Sequence, residues 1–194
     1  MKDSTFRALT AAVLILLCAA ATPAQDMMEE MPSGVRGSYL KLSMKAEEQI
    51  LALLESVPED AFMWRPMEGV RSMSESFLHP AAGNYIILKT IGGMVPEGVD
   101  LMKLEKSTSD KKQIKMEIQR SFEALRGRVG KLAEVEVSQE VDFFGSKMTV
   151  GDMLVFAVAH QRESLGQEIA YARMNKVVPP WTAERMKKTE EKRN

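Results

Sequence analysis

TVGDMLVFAVAHQRESLGQEIAYARM, Thr149 to Met174, is the stretch that decides the fold. Thr149 with Asp152 three residues later is a helix-opening cap, Asn175-Lys176 supplies an end, and Pro179-Pro180 forbids continuation. Between those limits, at 100° per residue, Met153, Phe156, Ala157, His160, Ser164, Gln167 and Tyr171 fall on one inner stripe. A 3.6-residue period held over this length predicts a long helix with one face toward a core. The polar members of the stripe must be hydrogen-bonded or face a cavity, because burying an unpartnered polar group costs about 1–3 kcal/mol. Glu163 and Glu168 read as outer-edge, ion-pairing residues.

Upstream, three more segments carry the same period. Leu40, Met44, Glu47, Leu51 and Leu54 mark a first helix from Ser38 that Pro58 closes. Ser72 and Glu75 form a capping box, and the helix they open runs to about Thr90, before Gly92-Gly93, with Pro80 inside it. Asp110 with Gln113 caps a third, along Ile114, Ile118, Phe122, Leu125, Val129 and Leu132. The connection 58–71 holds Phe62, Met63, Trp64 and Met67, too apolar to stand in solvent, and is expected to fold over the end of the core. For 134–148 either a short strand pair or a loop returning across the bundle fits, and the loop is the expectation. Four helices with a long crossover between the second and third predict an all-α fold, an up-down-down-up four-helix bundle.

The whole chain sets outer bounds. Its 194 residues suit one domain. A formal charge of -1 provides no field to gather nucleic acid or an anionic membrane. The fifteen methionines read as flexible core filling. At the N-terminus, Lys2 and Arg7 precede an apolar run from Ala8 to Ala21 that ends in Thr22-Pro23-Ala24, the pattern of a cleaved secretory signal. The division that follows is signal 1–24, flexible leader 25–37, bundle 38–182 and charged tail 183–194, with export to a periplasmic or extracellular location and no stable membrane span after cleavage. The single cysteine, Cys18, would leave with the signal, removing disulfides and thiol chemistry from the mature chain.

Chemistry-bearing candidates are few. The chain has two histidines, His79 and His160, so no three-histidine site can form within one chain. His79 lines up with Ala82, Gly83 and Ile86, small neighbours that leave space beside the imidazole, while Asn84 either reaches the pocket mouth or bonds a neighbouring helix. Two imidazoles from different helices with oxygen donors suit nickel, zinc, iron or manganese. Further donors would come from water, substrate, Glu163, Glu168, Gln167 or Asn84. The other reading of both histidines is structural. No phosphate-binding glycine motif is present, since Gly92-Gly93 lacks the following lysine, and Ser164 has no oxyanion arrangement around it.

Trp64-Arg65-Pro66, Arg71-Ser72-Met73, Phe77-Leu78-His79 with Asn84, and above all His160-Gln161-Arg162-Glu163-Ser164-Leu165-Gly166-Gln167 through Tyr171-Ala172-Arg173-Met174 to Val177-Val178-Pro179-Pro180-Trp181, resemble the DinB/YfiT-like helical bundle family. The resemblance spans about residues 38–182. It implies a divalent metal, often nickel or zinc, held by one histidine on the second helix and two on the last in a His-x-x-x-His-x-Gly-Gln arrangement. His79 and His160 match the first two ligands, and Gly166 and Gln167 match the residues after the third. Ser164 stands at the third position, which removes a strong donor.

Family members with assigned activities include metal-dependent thiol transferases and isomerases. Their low-molecular-weight thiols belong to reducing compartments, at odds with export. Two function classes follow: a hydrolase or transferase using a divalent metal at a weakened His79/His160 site, with Ser164, Gln167, Asn84 or Glu163 as auxiliary groups, or a metal-free bundle with a polar pocket that binds a small molecule or serves an interaction. A homodimer through the bundle faces stays open.

Overall fold

A computed structural model describes residues 32–193. The expected signal, Cys18 and most of the leader lie outside them. Four long helices carry the fold: α1 Gly34–Ser56, α2 Met73–Thr90, α3 Lys111–Gly130 and α4 Val150–Met174. A shorter α5, Pro180–Glu191, follows the Pro179-Pro180 break, with Trp181 packed against the core and its charged residues exposed. α1 packs on α3 and α4, and α2 packs on α3 and α4, so the order around the bundle is α1, α3, α2, α4.

Local chemistry sets the helix ends. Ser72 Oγ accepts from the Glu75 amide while Glu75 accepts from the Ser72 amide, and Thr149 and Asp152 repeat the reciprocal cap. Asp110 accepts from the Gln113 amide at 2.8 Å to open α3. α1 begins at Gly34, four residues before the expected Ser38. Its first turn is fastened from outside: Arg36 donates to the Leu132 carbonyl at the end of α3 and pairs with Glu134. Such long-range contacts carry no local signal, so the leader's last residues read as loop.

The connection 58–71 folds back as its apolar content requires. The Met73 amide donates to the Trp64 carbonyl at 2.8 Å, and the Trp64 ring meets Tyr171 edge to face with centroids 5.5 Å apart. Phe62 is fully buried, whereas Met63 and Met67 stay exposed.

The segment 134–148 corrects the sequence expectation of a loop. After a single helical turn, Glu134–Val137, it forms an antiparallel pair, β1 Glu140–Phe143 with β2 Ser146–Thr149, in the register Phe143 opposite Ser146. The connecting Phe144 and Gly145 both have positive φ, 53° and 82°. That geometry suits a tight two-residue hairpin, but it normally selects Asn-Gly rather than Phe-Gly. The Asp142 carboxylate accepts from the Gly145 amide at 3.1 Å and holds the turn.

The core divides into two apolar clusters along the bundle axis, one around Leu54, Phe77, Ile118 and Leu165, the other around Tyr85, Leu125, Met153 and Leu154. A polar chain crosses the interior. Gln161 on α4 donates to Asn84 on α2 at 2.9 Å, Asn84 donates to Ser121 on α3 at 3.3 Å, and Ser121 donates to the Ile118 carbonyl. These bonds tie three helices together and satisfy most of the buried polar atoms involved, with Gln161 Oε1 left without a partner.

Candidate functional site

α2 and α4 lie side by side and bring together two residues that stand far apart in the sequence. His79 Nε2 and His160 Nε2 are 3.0 Å apart, and the ring centroids are separated by 4.7 Å. The approach depends on Gly83. A Cβ at that position would fall 2.3 Å from His160 Cε1, so no side chain fits where α2 passes the imidazole. Phe156, one turn earlier on α4, stacks on the His160 ring at an interplanar angle of 23°.

Behind His79 stands a residue that sequence reading missed. Glu105, in a one-turn 3-10 helix of the α2–α3 crossover, accepts from His79 Nδ1 at 2.7 Å. It also takes a two-point contact from Arg71, at 2.6 and 3.1 Å. Partial burial pushes the Glu105 carboxyl up, but the hydrogen bonds from His79 and Arg71 and their charges overcome this and hold it at about 2. Glu105 is therefore ionised at neutral pH and can only accept.

That assignment propagates to both rings. His79 Nδ1 carries a proton, so a neutral His79 presents the Nε2 lone pair and His160 donates to it from Nε2–H. His160 Nδ1 is then a bare lone pair, and it is buried without a partner. If His79 were protonated, the order would reverse and leave an N–H at His160 Nδ1 without an acceptor, which is the costlier orphan. Burial, followed by the neighbouring His79, lowers the His160 pKa to about 4, so this ring stays neutral.

The imidazole pair and Glu105 form the polar corner of a cavity of about 250 Å³, otherwise walled by Ala82, Gly83, Ile86, Ile87, Phe143, Phe144 and Phe156. The hairpin that replaces the expected loop thus supplies two of the aromatic walls. Past Glu105 lies a second, polar cavity of about 500 Å³, reached by Arg65, Arg71, Glu75, Lys106 and Gln167.

The remaining sequence candidates fall elsewhere. Ser164 is buried one turn below His160, and its hydroxyl donates to the His160 carbonyl at 2.8 Å. Gln167 lines the polar cavity and not the imidazole corner. Asn84 belongs to the interior chain with Ser121 and Gln161. Glu163 is exposed. Glu168, expected at the outer edge, is fully buried with neither carboxyl oxygen hydrogen-bonded, and burial raises its pKa well above the usual range.

Measured against a three-ligand metal centre, this donor set is short. His79 and His160 offer two converging nitrogens, the Ser164 hydroxyl is already used by a carbonyl, and Glu105 sits on the far nitrogen of His79. Among the described residues, no group of three or more His, Cys, Asp or Glu side chains is placed to hold one ion.

Comparison with known proteins agrees with this architecture. The chain resembles a DinB-like protein from Bacillus cereus of known crystal structure, with a TM-score of 0.64 and 16% identity over 73% of this chain and 93% of that one. A DinB-like protein from Bacillus subtilis gives a TM-score of 0.58 and 19% identity over the same shares, 73% and 93%. No curated protein matches the chain. The family model described as DinB family matches residues 29–193. The chain belongs to the DinB family.

Proposed function

We propose that the domain binds a small, largely apolar molecule in the cavity at His79 and His160, with the imidazole pair as its polar contact. The observation that carries this reading is the cavity's lining: aromatic and aliphatic walls around one corner where ionisable groups converge, the usual form of a small-molecule site. A ligand hydroxyl, carbonyl or acidic C–H placed at that corner would meet imidazole nitrogens whose tautomers follow from the His79–Glu105 hydrogen bond. His79, oriented by a carboxylate, has the arrangement of a general base once a ligand replaces His160 as the partner of its Nε2.

A second reading rests on the separation of the two Nε2 atoms, 3.0 Å, with a carboxylate behind one ring, the support that raises the basicity of a metal-bound imidazole. In it, His79 and His160 hold a single divalent ion, nickel, zinc, iron or manganese, with water or substrate completing the set. Such an ion would supply Lewis-acid chemistry suited to hydrolysis or group transfer.

Calorimetry on tag-free protein separates the two. Phenylalkanols should bind with a dissociation constant of about 1 mM or tighter, the order expected of ligands this small. Gly83→Ala, which forces the His160 ring to move, should weaken binding at least about tenfold. Absence of any phenylalkanol binding overturns the first reading. Retention of about one equivalent of nickel or zinc after dialysis, lost in both His79→Ala and His160→Ala, establishes the second.

A further inference from the structure

We propose that the ligand is an organic acid, its apolar part in the imidazole cavity and its oxyanion in the polar cavity beyond Glu105. This rests on the small-molecule reading above and adds the charge class of the ligand.

Glu105 lines both cavities, so its carboxyl group stands at an edge that the two share. On one side it receives His79, and on the other it receives Arg71. The polar cavity brings three cationic side chains, Arg65, Arg71 and Lys106, against two carboxylates, Glu75 and Glu105, which leaves one positive charge in surplus. The chain as a whole is net negative, so this surplus is local.

The pairing inside the cavity makes the surplus larger in effect than the count suggests. Glu75 spends its carboxylate on the Ser72 amide at 2.8 Å and meets Arg65 only at 3.5 Å. Arg71 is committed to Glu105. Lys106 forms no ion pair among the described residues, and Gln167 brings an amide donor to the same wall. Arg65 donates Nη1 to the Val70 carbonyl and to Glu75, and its remaining N–H groups, with Lys106 and the Gln167 amide, bring donors and positive charge to a concave space. A carboxylate or a phosphate monoester is the chemistry that would fill it, through charge-assisted hydrogen bonds. An uncharged ligand would leave those donors to water.

The test uses three matched series on tag-free protein at low salt: phenylalkanols, phenylalkanoates and phenylalkyl phosphates of increasing chain length. Benzoate, too short to pass Glu105, should show no advantage over benzyl alcohol. At the best chain length the acid should bind at least about tenfold more tightly than its alcohol, with the advantage shrinking as salt is raised. Lys106→Gln and Arg65→Gln should each reduce that advantage to about threefold or less while alcohol binding stays unchanged. Which of the carboxylate and phosphate series binds more tightly identifies the oxyanion. Equal affinity of acids and alcohols, or an acid preference that survives both substitutions, overturns this proposal and leaves the apolar-pocket reading standing. Failure of every series to bind overturns both.

Discussion

Glu105 and Glu168 are both inward-facing carboxyls in the same bundle, and they end in opposite states. Glu105, on the crossover, is half-buried and receives His79 and Arg71, and its pKa is drawn down to about 2. Glu168, on α4, is buried completely, neither oxygen has a partner, and its pKa is driven up. Depth alone favours the neutral form in both. What differs is the supply of donors: the region around Glu105 holds a charge beside two cavities, and the buried carboxyl of Glu168 has no protein donor, which favours its neutral form.

The strongest way to break the comparison is to remove the unpartnered member. Glu168→Leu, close in volume, should raise stability by about 3 kcal/mol at pH 7.5 in urea denaturation, because no buried acid then has to be kept neutral. The sign follows from linkage. A raised folded-state pKa leaves stability intact below the unfolded value near 4.5 and erodes it as pH rises, so the substitution should also flatten that decline. A loss of stability would show that Glu168 has a partner after all.

The opposite substitution should act in the opposite direction and by less. Glu105→Gln removes the negative charge and one of the two oxygens that receive Arg71 and His79 and should cost about 2 kcal/mol, discounted because the cluster is partly solvated. In the parent protein the depressed pKa gives stability that is present above the unfolded value near 4.5 and lost as pH falls toward 2. That acid limb should be missing in the variant, and an unchanged limb would assign it to another group.

The smallest effect belongs to His160. Its pKa, lowered to about 4 from 6.5, makes the unfolded chain the better proton acceptor between those values. Stability should fall by about 1–2 kcal/mol as pH drops from 6.5 to 4, after allowance for the exposed part of the ring. Proton NMR titration of the two imidazoles checks it directly. A His160 midpoint near 6.5 would mean that the ring is more solvated than the packing against Phe156 and Gly83 allows.

The parts of the fold that were legible in the sequence are those fixed by neighbours in the chain. The Ser72/Glu75 and Thr149/Asp152 caps place helix starts because both partners lie within one turn. The convergence of His79 and His160 could be anticipated from helical stripes and from the family resemblance, and Gly83 already marked the space beside them. Glu105 could not, since a carboxylate in a long crossover has no period to betray which way it points. On α4, centring the inner stripe on His160 put Glu168 outside. The buried face runs instead through Gln161, Ser164, Leu165 and Glu168, with His160 at its margin toward α2. The hairpin was hidden by Phe144, a residue that turn statistics argue against at a positive φ.

Phe144 also has a consequence for anyone breeding this protein for heat tolerance. A phenylalanine held at φ 53° costs about 1–2 kcal/mol, and the residue is 81% exposed, so Gly or Asn there would relieve the turn while giving up little more than the edge-to-face contact with Phe143. A screen that rewards survival at high temperature would select that change as readily as Glu168→Leu. The two are not equivalent gains. Glu168 lines neither cavity, whereas Phe144 lines one, so selection for robustness and selection for ligand retention would pull this single position in opposite directions.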